Sequence, residues 1–271
     1  MDPDDIAKLV EELKRTSVGD DDKVFLNKLT VWKEADKMNS CLLAKIFANK
    51  PIPRETVKIQ MPKILQTSRT VEIEAVGENL YIMDFKSAQD RRRALEEGPW
   101  NLFKSLVLFQ KIKGLQHPQD VVFKSIDIWV QMHNLPLAFM NRRVLESIGA
   151  KMGEVLDLDE GDGGNFWGKY ARVRVRIELE NPLKKCLTVK VEEEAEDVII
   201  LLVYERLPDF CYACGRIGHI IKDCNYKEAN KENPSFGPWL KVATHSGIKK
   251  NKEESKYHNR MALSESSTSK Q

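Results

Sequence analysis

The chain has 271 residues and a formal net charge of +2, with 42% hydrophobic and 31% charged residues, an ordinary soluble composition. That length accommodates one large domain or two small ones with a sizeable core. The acidic N-terminus lacks the order of a secretory signal, and the longest apolar run, Val198–Tyr204, is too short to span a bilayer. We therefore expect a soluble, intracellular protein without a membrane partner.

The first part of the chain is predicted to hold an acidic lead-in, residues 1–24, and an α+β domain, residues 25–115. The patterns predict, in chain order, a strand at 27–32, helices at 40–47 and after Pro53, strands at 70–76 and 79–85, a helix at 87–97 and a strand at 106–110. We interpret this as β-α-β-β-α-β, the order of a ferredoxin-like or RRM-like sandwich. The aromatic RNA-binding signature of the RNA-recognition module is missing, so its base-stacking sheet surface is not expected.

The second half is predicted to be rich in strands and to lead into a small metal site. Residues 116–207 are interpreted as a β-rich linker region, with one helix at 141–152 and strands at 126–132, 155–158, 169–179, 187–191 and 197–204. Residues 208–226 are predicted to form a zinc knuckle. The polar stretch 227–271 is predicted to be a disordered tail. The expected fold class is therefore α+β.

The spacing of cysteine and histidine gives the most specific signal in the chain. The pattern C-x2-C-x4-H-x4-C supplies four candidate ligands: Cys211, Cys214, His219 and Cys224. Three thiolates and one imidazole complete a closed tetrahedral zinc site with no position for a catalytic water. We predict one structural Zn²⁺, whose binding supplies the folding energy of this short segment. The remaining cysteines, Cys41 and Cys186, are interpreted as buried small hydrophobic residues.

Side chains around the knuckle are candidate contacts for nucleic acid. Tyr212 and Ile220 are predicted to form a small apolar platform on which an unpaired base stacks. Arg216 and Lys222 are placed to contact phosphate. The alternative is that these side chains form only the miniature core of the knuckle.

A second candidate surface lies on the predicted strand 169–179. Its period of two places three arginines on one face: Arg172, Arg174 and Arg176. Like charges on one strand face repel unless opposite charge neutralises them. A phosphate backbone satisfies that need, and so do acidic neighbours such as Glu192–Glu194. The sequence leaves both interpretations open.

Five stretches of the sequence carry a family resemblance: Glu97–Trp100, Ile128–Pro136, Ile148–Asp157, Arg172–Ile177 and Tyr204–Phe210, the last running directly into the first zinc ligand. Together they resemble a plant family in which a retrotransposon-derived domain of unknown function precedes a zinc knuckle. The resemblance implies descent from the first open reading frame of a plant LINE-type element, or a gag-like equivalent that coats the element's RNA. The four knuckle ligands fit the family pattern without departure. A separate open reading frame, a truncated copy and a domesticated host gene all remain open.

These features predict a binding protein and not an enzyme. P-loop, Gly-x-Ser-x-Gly and H-E-x-x-H motifs are missing from the sequence, and no small-molecule substrate is expected. The predicted function is zinc-dependent, largely sequence-independent binding of single-stranded RNA or DNA, with self-association left open. The alternative is a protein-interaction adaptor in which the knuckle is only a structural staple.

Overall fold

The computed structural model describes residues 8–13, 24–29, 31, 35, 38–112, 116–161, 164–191 and 197–242. Within these ranges the chain forms two five-stranded sheets in which the paired strands run antiparallel. Helices pack on both sheets, so the predicted α+β class is confirmed. No helix in the described ranges is long and apolar enough to cross a membrane.

The first sheet and its two helices occupy residues 41–111. The elements are β1 Cys41–Phe47, α1 Arg54–Leu65, β2 Val71–Gly77, β3 Leu80–Phe85, α2 Ala88–Glu96, β4 Trp100–Leu102 and β5 Ser105–Lys111. The strand order is β2-β3-β1-β5-β4. One face of the sheet is covered by buried helix residues such as Val57, Met61 and Ala94, which pack in one core with Leu42 and Ile46. The observed element order contains one strand more than the sequence predicted.

Two predicted elements at the start of this domain are wrong. Residues 40–47 were expected to be helical, yet Cys41–Phe47 is the central strand β1, paired with β3 on one side and β5 on the other. Its first four residues are all buried, so both faces are covered and the alternating strand pattern is lost. The predicted strand 27–32 is also wrong, because residues 28, 29 and 31 are helical. Strand-like side chains there have no pairing strand in the described part of the chain.

The second sheet lies in residues 116–207, the region predicted to be a β-rich linker, and with its helix it is called the second domain below. Its elements are β6 Ser125–His133, α3 Arg142–Gly149, β7 Glu154–Leu158, β8 Tyr170–Glu178, β9 Cys186–Val189 and β10 Val198–Tyr204. The strand order is β7-β8-β6-β10-β9. Alternate residues of the central strands, including Ile128, Val173 and Leu202, are buried in one core with Leu145 of α3. The predicted strands and helix of this region lie close to the observed ones.

The two domains are joined by apolar packing and by hydrogen bonds. Leu106 of the first sheet is buried in the core of the second domain, with Phe47 and Leu108 packed against it. These three side chains alternate along their strands with the side chains that face α1 and α2. They therefore lie on the opposite face of the first sheet, and the second domain covers that face where they lie. In addition, Arg206 donates to the carbonyl of Glu97 at 3.0 Å, at the carboxyl end of α2. Helix carboxyl ends carry free carbonyls, and cationic side chains are suited to cap them.

The chain remains packed on the second domain beyond the knuckle. The disordered tail was predicted to begin at residue 227, but Leu240 is fully buried and Lys241 forms a bridge with Tyr204. The amide of Val242 donates to the Tyr204 carbonyl at 3.1 Å. The composition of this stretch is polar, and its few apolar side chains suffice to dock it. Residues 243–271 lie outside the described part.

Replacing Leu240 with alanine is expected to destabilise the protein by about 3 kcal/mol, because a large apolar side chain leaves a cavity in the second core. Urea unfolding followed by tryptophan fluorescence measures the change. Leu137→Ala is the matched control: Leu137 is 72% exposed, and its loss should change stability by less than about 0.5 kcal/mol. Equal effects of the two substitutions would show that the segment after the knuckle does not contribute to the fold.

Candidate metal centre and nucleic-acid interface

The structure brings the four predicted zinc ligands together. The ligand atoms of Cys211, Cys214, His219 and Cys224 all lie within 4.8 Å of one another, and the three cysteines are buried. The Sγ of Cys214 is 3.3 Å from the Nε2 of His219. A tetrahedral zinc ion sets thiolate and imidazole atoms about 3.5–3.8 Å apart. The donor set and its proximity therefore fit a bound Zn²⁺.

Two glycines allow the chain to wrap around this centre. Gly215 and Gly218 have φ angles of +76° and +98°, in the left-handed region that favours glycine. The amide of Gly215 donates to the Cys211 carbonyl at 2.8 Å, and the Cys211 amide donates to the Arg216 carbonyl at 2.9 Å. These bonds close the tight turn between the first two ligands. The local sequence thus fixes the ligand geometry.

Gly215 is also confined by packing. A Cβ at this position would lie 2.3 Å from the ring of Phe236, which packs against the second core. Gly215→Ala is therefore expected to cost about 2–3 kcal/mol, from backbone strain and overpacking together. Gly164→Ala is a matched control, because Gly164 has φ +74° but open space around it, so only the strain is incurred. Thermal unfolding of both variants separates the two causes, and equal shifts would argue against the Phe236 contact.

The acid–base properties of the ligands respond to burial in two directions. Burial raises the pKa of the Cys211 thiol to about 11 and lowers the pKa of the His219 imidazole. Burial also acts to raise the pKa of Cys224, but the Tyr226 amide and the neighbouring thiols donate hydrogen bonds that lower it overall. The imidazole is thus neutral and ready to coordinate. A bound divalent cation supplies the charge that holds buried thiols as thiolates.

The predicted stacking platform is only partly available at the surface. Tyr212 is half-buried, with its ring 5.0 Å from that of Phe210 and packed against the second core. Ile220 is 42% exposed, and Lys222 is exposed. Tyr212 therefore packs as part of the core around the knuckle, which was the alternative to base stacking. Ile220 and Lys222 face outward.

Tyr226 is an aromatic residue at this surface that the sequence analysis missed. It is 44% exposed, its ring stacks on His219 with centroids 5.9 Å apart, and the Arg216 guanidinium lies 3.9 Å from its centroid. The Nε of Arg216 donates to the Glu180 carbonyl at 2.6 Å, which fixes this cation over the ring. The sequence could have indicated this residue by its position, because Tyr226 follows the last zinc ligand, Cys224, by two residues.

On the arginine strand, now β8, Arg172 is neutralised within the protein. Its Nε and Nη2 each donate to Glu205 at 2.8 Å, and its Nη1 donates to Asp159 at 2.5 Å. The guanidinium also lies 4.7 Å from the centroid of the Trp129 ring. Glu205 and Asp159 thus provide the negative charge that neutralises Arg172. Glu192–Glu194, which the sequence suggested for this role, lie outside the described residues.

The other two arginines of β8 are engaged as well. Arg176 donates to both carboxylate oxygens of Asp127, at 2.8 and 3.0 Å, and to Glu154 at 2.9 Å. Arg174 donates to the Glu96 carbonyl at the end of α2. This face of the sheet is therefore held by internal ion pairs and a helix cap. The observed contacts favour the structural interpretation of the arginines over phosphate binding.

The two cysteines outside the knuckle behave differently from each other. Cys41 is buried in β1, as expected, and burial raises the pKa of its thiol. Cys186 is exposed, which corrects the prediction. It lies on β9, an edge strand, where alternate side chains point away from the core. Cys186 thus provides an accessible thiol that is separate from the metal ligands.

Two segments of the chain match known family models. Residues 34–114 match a Domain of unknown function (DUF4283), and residues 177–226 match a Zinc knuckle family. The uncharacterized protein At4g02000 of Arabidopsis thaliana is 31% identical over 104 residues, which cover 38% of this chain and 33% of that protein. The match thus spans about a third of the length of this relative.

Two solved structures of yeast RNA-binding proteins align with about half of this chain, at low identity and low TM-score. The N-terminal three RNA binding domains of the splicing factor Prp24 align over 51% of this chain and 56% of that one, with 11% identity and a TM-score of 0.21. The first two RRM domains of the poly(U) binding protein Pub1 align over 50% and 81%, with 12% identity and a TM-score of 0.20. Along this chain, the segment that matches DUF4283 thus precedes the segment that matches a zinc knuckle.

Proposed function

We propose that this protein binds single-stranded RNA or DNA through its zinc knuckle, with little sequence preference and without catalysis, as a gag-like or first-open-reading-frame protein does. The observation that carries the proposal is the assembled ligand cluster with outward-facing side chains beside it. Ile220 and Tyr226 present apolar and aromatic surface, and Lys222 is an exposed cation. Base stacking on such a surface tolerates any sequence, because every base has a π-face.

The metal has a structural part in this proposal. Three cysteines and one histidine complete the coordination of zinc, so the ion supplies folding energy and shape. The Tyr226 ring stacks on the ligand His219, which makes its position depend on an intact centre. Affinity then comes from phosphate contacts of Lys222 and nearby cations, and stacking adds to it. Loss of zinc should therefore remove binding and not merely weaken it.

The proposal is tested by fluorescence anisotropy with a labelled single-stranded RNA and its DNA equivalent, titrated at 50 and 200 mM salt with and without a zinc chelator. For two or three phosphate contacts, affinity should fall about 10-fold between these salt concentrations. Chelation should abolish binding of both. Absence of binding by the zinc-loaded protein at 50 mM salt would refute the proposal. Binding that survives chelation would place the activity outside the knuckle.

A protein-interaction adaptor is the second candidate, and one observation favours it. The knuckle is built into the second core, where Phe210 and Ile217 are buried and bridged to each other. Zinc thereby fastens the end of the second domain, as a structural staple would. An apolar protein interface should be nearly insensitive to salt, whereas nucleic-acid binding should weaken steeply. The salt titration thus separates the two candidates.

A further inference from the structure

The hairpin that joins β4 to β5 has an unusual turn. Leu102 pairs with Ser105, so Phe103 and Lys104 form a two-residue loop. Their φ angles are +49° and +71°, the sign that a type I′ turn requires at both positions. Such turns favour Asn-Gly or Asp-Gly, because those residues tolerate the left-handed region. A phenylalanine followed by a lysine is a costly choice for this loop.

Packing does not account for the choice of residues. Phe103 is 65% exposed and Lys104 is exposed, so neither side chain gains burial in return for the strain. Bulky residues at positive φ persist where the surroundings impose them, and they cluster at binding sites. An exposed aromatic ring beside a cation is the pair of groups that binds an unpaired nucleotide by stacking and by phosphate contact.

The turn is tied directly to the knuckle. The amide of Asp209 donates to the Lys104 carbonyl at 3.3 Å, and the amide of Gly218 donates to the Asp209 carbonyl at 3.2 Å. Lys104 and Ser105 share a cleft of about 140 Å³ with the knuckle residues Gly218 and Ile220. The exposed side of the knuckle and the hairpin tip therefore form one continuous surface.

The charge around this cleft suits a polyanion. Lys50 and Lys222 are exposed, and in the chain they follow the lining residues Asn49 and Ile220 by one and two positions. Of the nearby acids, Asp209 pairs with Lys241 at 3.4 Å, whereas Asp223 accepts a hydrogen bond from the neutral Asn49 amide at 2.6 Å and keeps its charge. The exposed lysines still outnumber this one unpaired acid. Within the described part of the chain, the Lys104 ammonium has no acidic partner.

We propose that Phe103 and Lys104 are a second contact for the single-stranded nucleic acid that the knuckle binds, with one base stacked on Phe103 and the adjoining phosphate on Lys104. This inference rests on the proposed function and extends its site from the knuckle to the first domain. The bound strand then crosses the junction of the two domains.

The test uses the full chain loaded with zinc and a labelled single-stranded RNA of 12 nucleotides. Phe103→Ala is expected to weaken binding about 5- to 10-fold, as loss of one stacked base does. The double variant F103N/K104G installs the preferred turn, so it should bind at least 10-fold more weakly while its Tm rises by a few degrees. Trp167→Ala is the matched control, since Trp167 is 72% exposed but lines a different cleft, with Asp159 and Tyr170.

The outcomes distinguish this inference from the function on which it rests. Zinc-dependent binding that is unchanged in F103N/K104G would overturn the inference and leave the knuckle as the binding site. Loss of affinity accompanied by a lower Tm would mean that the turn residues support the fold, which also overturns it. Absence of binding to both the single-stranded RNA and its DNA equivalent by the unsubstituted protein would refute the proposed function itself. Photocrosslinking from p-benzoylphenylalanine at position 103, compared with position 167, gives a second readout of contact.

Discussion

Replacing Cys214 with serine is expected to release the zinc ion and to lower the stability of the second domain by at least about 4 kcal/mol, or about 10 °C in Tm. The reason is that the knuckle is not an independent appendage. Phe210 and Ile217 are buried in the second core, and the amide of Leu183 donates to the Gly215 carbonyl at 2.9 Å. When the metal is lost, the turn between the ligands is no longer held in place. Phe210 and Ile217 then lose their fixed packing in the second core. Single-stranded RNA binding is expected to disappear with them.

Cys186→Ser is the matched control for this prediction. Cys186 is exposed on an edge strand and lies outside the ligand cluster, so its replacement should leave zinc content, Tm and binding unchanged. Zinc released on denaturation, measured with a colorimetric chelator, should amount to about one ion per chain in this control and to none in the Cys214 variant. A Cys214 variant with full zinc content and an unchanged Tm would refute the assigned ligand set.

The metal centre could be predicted from the sequence because its geometry is local. All four ligands lie within 14 consecutive residues, and the turn between them depends on glycines that are visible in the same stretch. The spacing alone therefore specifies which atoms meet. The second sheet could also be predicted, since buried side chains on β8 and β10 alternate with partly buried or exposed ones at a period of two.

The central strand β1 was not predictable by the same means. Cys41–Phe47 is covered on both faces, so its apolar residues form a run and not an alternation. Such a run does not distinguish a buried strand from a buried helix. The deciding fact is that β3 and β5 pair with its two edges, and those strands lie about 40 and 60 residues further along the chain. Long-range pairing of this kind leaves no local mark.

The arginines of β8 show why a charged pattern alone did not identify a nucleic-acid surface. The alternation was predicted correctly, but its meaning depends on which acids face it. Asp127 lies on the adjacent strand β6, and Glu205 directly follows β10, which lies beyond β6; both are distant from β8 in sequence. The sequence does not show whether these carboxylates or a phosphate backbone neutralise the arginines of β8. Conversely, Phe103 was not predicted as a candidate contact, because the sequence does not show that its backbone has a positive φ angle.

Arg172→Glu is expected to destabilise the protein on the order of 4 kcal/mol, because it replaces the cation between Glu205 and Asp159 with a third carboxylate. The Arg172 and Glu205 side chains are 31% and 21% exposed, so solvent screens their charges only in part. Urea unfolding measures the loss. The charge-swapped double variant R172E/E205R should recover part of it, whereas Glu205→Arg alone should not. If Arg172 instead served nucleic acid, Arg172→Glu would reduce RNA affinity while leaving unfolding unchanged.

The same pair gives a pH dependence whose sign follows from the contacts. Burial alone would raise the pKa of the Glu205 carboxyl, but hydrogen bonds from Arg172 and Gln131 lower it below the ordinary value. A carboxyl whose pKa is lower in the folded state stabilises the protein above its unfolded pKa of about 4.3, and this stabilisation is lost as the pH falls through the folded value. The free energy of unfolding should thus fall below about pH 4. In Glu205→Gln this part of the slope should be missing, while an unchanged slope would mean that other carboxyls dominate acid unfolding.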